Sequence, residues 1–130
     1  MDKLKTELDI VSLFNSKNGR SAKKAVLQLG SGGASHEFDL YESDKVIGGV
    51  TTSPWKNKSG STNTGGQDRA STELFWLTLW NGNERRVMMF TDREMADKLY
   101  KRWKGCPFPK RIEIIHCDLS QRKFDMVGIL

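Results

Sequence analysis

The segment from Arg85 to Cys117 constrains this fold more than any other part of the chain. Val87–Phe90 is a short apolar run with strand character. Thr91, followed three residues later by Glu94, forms a capping box that opens a helix over 92–104. Along that helix Met95, Leu99 and Trp103 share one face, Lys98, Lys101 and Arg102 take the other, and Gly105 ends it. RIEIIHC at 111–117 reads as the next strand. A strand, a helix and a strand in that order form a βαβ unit, with parallel strands and a right-handed crossover. Parallel strands need helices against their faces. The expected class is therefore α/β (with α+β as its variant): one domain over 1–130, built on a mixed sheet with flanking helices.

The remaining elements follow from period and punctuation. Leu4, Leu8, Val11 and Phe14 recur at helical spacing and predict a helix over 3–15, ended by Asn18-Gly19. Ser21 as a cap, with Ala22, Ala25, Val26 and Leu29 on one face and Gly30 beyond, predicts a second helix over 21–29. In residues 36–42, Phe38 and Leu40 alternate with Glu37, Asp39 and Tyr41, as a strand requires. KVIGGVTT at 45–52 pairs with it as a hairpin. Gly48-Gly49 inside that strand signals a bulge or a close approach. Residues 53–66, SPWKNKSGSTNTGG, are a long polar loop, expected to be a flexible binding segment. QDRASTELFWLTLW at 67–80 is expected to be a central helix. The competing reading is a strand leading through Asn81-Gly82 into a hairpin, and the length of the segment favours the helix.

Charge is unevenly spread. The net charge is +5, yet residues 85–111 alone hold nine bases and three acids. Such a cluster attracts a polyanion, or simply solvates a helix face. The apolar runs are too short for a membrane span. Two cysteines make neither a disulfide framework nor a zinc site, and the first residues lack the apolar core of a signal peptide. A cytoplasmic protein with reduced thiols is expected.

Several side chains suit chemistry. Glu37 and Asp39 sit two apart on one strand face, with Tyr41 beyond them, an arrangement that suits a hard cation such as Mg²⁺. The plainer reading is a solvated face. Gly65-Gly66-Gln67-Asp68-Arg69 stands at a helix start, where free N–H groups favour an anion and Asp68 suits capping. Arg69 and Glu73 lie one turn apart and can pair. Trp55-Lys56-Asn57-Lys58 interleaves an aromatic ring with cations, as base stacking and phosphate contact require. Gly30-Ser31-Gly32-Gly33 follows a predicted helix, the wrong order for a phosphate-binding loop. His36 and His116 read as lone histidines.

A helix ending in Leu29-Gly30, then HEFDLY, a turn, KVIGGVTTS, a helix and ERRVMMFTD resembles the PD-(D/E)XK nuclease superfamily over roughly residues 20–118. The resemblance implies a restriction-endonuclease-like fold and Mg²⁺- or Mn²⁺-dependent phosphodiester hydrolysis. Asp39 matches the family's metal-binding Asp. The (Asp/Glu)-x-Lys positions read Gly49-Val50-Thr51 here. In such a domain the missing groups come from nearby, and Glu73, Asp68, Arg69 and Lys56 are the candidates. Asp39 and Glu73 would then be catalytic, with Arg69 or Lys56 stabilising the phosphorane. Asp39, Glu37 and Asp68 would be the metal ligands. Trp55, Lys58, Lys98, Lys101 and Arg102 would grip nucleic acid, DNA being expected. The alternative is a catalytically inactive interaction module on the same fold, whose Trp55 and basic helix meet a protein partner or a second copy. Convergence of acids from strand 36–42 and helix 67–80 would favour the first reading.

Overall fold

The computed structural model of the chain describes residues 2–130. Its elements run α1 (Lys3–Asn18), β1 (Lys23–Gln28), β2 (Ser35–Glu42), β3 (Val46–Thr51), α2 (Thr64–Leu79), β4 (Arg85–Phe90), α3 (Arg93–Trp103), β5 (Ile112–Asp118) and β6 (Lys123–Ile129). The six strands form one mixed sheet in the order β1-β2-β3-β4-β5-β6. β1–β2, β2–β3 and β5–β6 are antiparallel, while β3–β4 and β4–β5 are parallel. The fold is mixed α/β, as the βαβ segment requires. No helix among the described residues is long and apolar enough to cross a membrane.

Strand alternation sorts the core into two layers. Val87 and Met89 of β4 pack with Ile10, Val11, Leu13 and Phe14 of α1. Met88 and Phe90 pack with Ala70, Leu74 and Leu77 of α2 and with Met95, Ala96 and Leu99 of α3. The two crossovers run the same way across the sheet, so crossovers of one hand put α2 and α3 on one face. α1 covers the other. Phe14, Phe38 and Phe90 are almost wholly buried, each contributing about 1.5–3 kcal/mol relative to exposure.

Three expectations fail locally. Residues 21–29 are not a helix; β1 pairs there with β2 from Lys23↔Tyr41 to Gln28↔Ser35. The open edge of β2 offers a ladder of backbone partners that a short isolated helix lacks. The helix expected at 67–80 forms as α2, and Asn81-Gly82 joins it to β4. Thr91 does not cap α3; Asp92 does, accepting the Met95 N–H at 3.2 Å, so the helix starts at Arg93. Tyr41 does not follow Glu37 and Asp39 on one face. Its ring packs at 5.8 Å against Trp80, on the α2 side of the sheet. In the β1–β2 register, Lys23 to Ala25 faces Tyr41 to Phe38, so β2 carries an extra residue at Asp39-Leu40. This bulge flips the alternation: Phe38 packs toward α2 and α3, Leu40 toward α1.

The basic cluster is partly spent inside the fold. Arg86 is 3% exposed, and its guanidinium donates to the carbonyls of Leu77, Trp80, Gly82 and Glu84. It thereby satisfies the open carbonyl end of α2. Arg85 pairs with Glu113 at 2.7 Å, and Lys110 caps the Asn81–Asn83 turn. Replacing Arg86 with Met leaves several buried carbonyls without donors. The expected loss is at least about 2–3 kcal/mol of unfolding free energy, read as a lower urea midpoint.

Candidate functional site

β2 and β3 pair only from Leu40↔Gly48 to Glu42↔Val46. Beyond Gly48 they part, and the Asp39 carboxylate takes the place of a ladder partner, accepting the Val50 N–H at 2.7 Å. The gap opens a cleft of about 390 Å³ between α1, β2, the end of β3 and α2.

Gly48-Gly49 makes this junction possible. A Cβ at Gly48 would collide with the Val87 carbonyl of the neighbouring strand. A Cβ at Gly49 would stand 2.8 Å from Glu73 Oε1, so glycine lets the Glu73 carboxylate lie over the sheet. Glu73 receives His36: His36 Nε2 stands 3.1 and 3.0 Å from its two oxygens. The His36 ring is stacked on Trp76 at 4.8 Å and edge-on to Phe38 at 4.8 Å, which fixes its plane.

Five acids line the cleft: Glu7 from α1, Glu37 and Asp39 from β2, and Asp68 and Glu73 from α2. Lys3, Arg69 and His36 line it as well. Burial pushes the Asp39 carboxyl above its ordinary range, against the Val50 N–H that lowers it. Burial also raises Glu73, opposed by His36 and assisted by the charges of Asp39 and Glu7. Glu7 is raised first by burial and then by Asp39. Three carboxyls thus share one poorly hydrated space and repel one another. Among the described residues no group of three or more His, Cys, Asp or Glu side chains is placed to hold a metal ion.

Arg69 does not pair with Glu73. It donates to Ser53 Oγ at 3.1 Å, across the mouth of the cleft. Asn63, not Asp68, caps α2 by accepting the Gly66 N–H at 3.0 Å. Lys56 and Lys58 line neither this cleft nor the cavity beside α3, and both are exposed on a loop closed by a Lys56↔Thr62 bridge.

A second cavity of about 410 Å³ opens where the 52–63 loop meets α3. It gathers Trp55, Lys98, Lys101 and Arg102, four of the five residues that the sequence assigns to nucleic acid. Asp92 holds this junction, since one carboxylate oxygen caps α3 at Met95 N and accepts the Trp55 N–H at 2.7 Å. Lys98 Nζ lies 5.7 Å from the Trp55 ring centre. Between the two cavities runs a groove of about 330 Å³ lined by Asp68, Thr72, Phe75, Arg102 and Trp103. Asp68 and Thr72 also wall the cleft, and Arg102 also walls the second cavity. The three form one track around the outer face of α2.

Glu7 and His36 escape the sequence reading. Glu7 lies amid Leu4, Leu8 and Val11, an expected apolar stripe of which Leu4 and Leu8 stand exposed in the structure, and His36 shares strand parity with buried Phe38. Each was a polar group on a face meant for the core.

The raised carboxyls predict a pH signature. A carboxyl with a higher value in the folded protein binds its proton more tightly there than in the unfolded chain. Stability then falls as pH rises from the ordinary carboxylate range through the raised value. Asp39→Asn keeps an oxygen for the Val50 N–H and removes the charge. The variant is expected to melt at a higher temperature than wild type at neutral pH, with the difference closing near about pH 4. Thermal melts across a pH series check this. Comparison of the chain with family models, curated proteins and solved structures finds no match.

Proposed function

We propose that this chain is a nucleic-acid-binding domain of nuclease-like build, which hydrolyses the phosphodiester backbone in the cleft when Mg²⁺ or Mn²⁺ is bound. One observation carries the reading: the acidic cleft and the basic Trp55 cavity are joined along a single helix, α2. A polyanion lying along that track meets cations at one end and frustrated carboxylates at the other.

The donor set suits Mg²⁺ in a particular way. This ion is usually held by one or two carboxylates plus substrate phosphate and water, not by an all-protein cage. Asp39 and Glu73 are the two carboxylates that would hold it. Such an ion supplies charge stabilisation and an activated water. Arg69, with Ser53 holding it at the mouth, is placed to contact a phosphate oxygen. His36, stacked on Trp76, holds Glu73 in place. The free thiols Cys106 and Cys117 accord with a reducing, cytoplasmic setting.

The test pairs cleavage with gel shift, on single- and double-stranded DNA and RNA, in Mg²⁺, Mn²⁺ or EDTA. DNA cutting that needs the metal is expected, reduced at least about 100-fold in Asp39→Asn and in Glu73→Gln. Binding is expected to weaken steeply with salt. Binding without cutting would leave a nucleic-acid binder that has lost its chemistry. Neither binding nor cutting would overturn the reading, and leave a module whose Trp55 and basic helix meet a protein or a second copy.

A further inference from the structure

The cavity beside Trp55 has a composition that a phosphate backbone alone does not explain. Met95 and Leu99 lie beneath it, 0% and 3% exposed, so they back the cavity and offer a ligand almost no surface. Trp55 forms one wall, and it is only partly buried. Lys98, Lys101 and Arg102 stand exposed on the rim, and Gln67 of α2 lines the same space. The volume of about 410 Å³ lies within the range of small-molecule sites, about 300–1,000 Å³. A binder of backbone charge needs only the cations. Here cations surround an aromatic wall.

We propose that this cavity holds an unpaired base of a single-stranded nucleic acid, stacked on Trp55, with its flanking phosphates on Lys98, Lys101 and Arg102. The inference rests on the nucleic-acid reading above and narrows its substrate to strands with exposed bases. The argument is one of complementarity. A duplex shows its charges outside and hides its base faces in the stack, so it would meet the cations and leave the Trp55 ring unused. An unpaired base offers free π-faces and polar edges. It stacks on the ring and presents hydrogen-bonding groups to Gln67. The Asp92 carboxylate anchors the Trp55 backbone, and Lys98 lies over one face of the indole. Sequence preference is expected to be weak, since stacking is tolerant of base identity.

The experiment measures fluorescence anisotropy of labelled oligonucleotides in EDTA, which holds them intact. The probes are a single strand, the matching duplex and a strand of equal length with abasic sites throughout. The single strand is expected to bind more tightly than the duplex. Trp55→Ala is expected to weaken single-strand binding about tenfold, a stacking-sized effect. The abasic strand should bind about equally weakly to wild type and to Trp55→Ala. If Trp55→Ala does not fold, Trp55→Phe and Trp55→Leu make the same comparison, with Phe retaining the affinity and Leu losing it. Equal affinity for abasic and ordinary strands, unchanged by Trp55 substitution, would overturn the base-holding slot and leave the broader reading standing. Binding to none of the three probes would overturn both.

Discussion

Everything distinctive in this fold follows from one side chain standing in for backbone. Asp39 accepts the Val50 N–H where a β2 carbonyl would otherwise do so. A regular ladder would have continued past Leu40↔Gly48, closed the sheet and left no cleft. The extra residue at Asp39-Leu40 lets β2 keep its pairing with β1 while leaving β3. The cost is a partly buried carboxylate, raised by poor hydration and only partly offset by one strong hydrogen bond. Such an arrangement stores electrostatic tension at a single spot of an otherwise well-satisfied sheet. No buried side-chain nitrogen or oxygen among the described residues lacks a hydrogen-bond partner.

The charge distribution divides by purpose. Arg86 and Arg85 of β4 are absorbed by carbonyls and by Glu113. Arg93 pairs with Asp97 along α3. Of those left exposed and unpaired, Lys98, Lys101 and Arg102 gather at the Trp55 cavity, while Lys104 and Arg111 stand outside it. A count of basic residues therefore overstates the polyanion surface, while the position of the remainder sharpens it. The acids divide in the same way. Glu84 and Glu113 tie elements together, whereas Glu7, Asp39 and Glu73 crowd into the cleft.

The sequence was legible wherever one period dominated. The helix from Lys3 and the β4-α3-β5 unit follow from spacing, although Asp92 and not Thr91 caps α3. β1 was misread because Ala22, Ala25, Val26 and Leu29 satisfy a helical period over only eight residues, and pairing with β2 outweighs so short a run. Val26 consequently ends 64% exposed, where a helical stripe would have buried it. In the cleft, Asp39 and Glu73 were legible as acids, but their partners were not. A bulge shifts parity by one residue and leaves no compositional mark, so the loss of Tyr41 from the Glu37 and Asp39 face could not be read. The Arg69–Glu73 pairing failed for another reason: helical spacing permits it, yet Ser53 and His36, distant in sequence, are better placed.

The Arg86 knot at the end of α2 has a mechanical meaning. Four carbonyls around Leu77–Glu84 converge on one rigid guanidinium. Toward the other end Asn63 caps the helix, Arg69 reaches Ser53, and Ala70 and Leu74 are packed into the core. α2 is fastened along its length, so Arg69 and Glu73 enter the cleft as fixed points on one rigid element, with a buried arginine as its anchor.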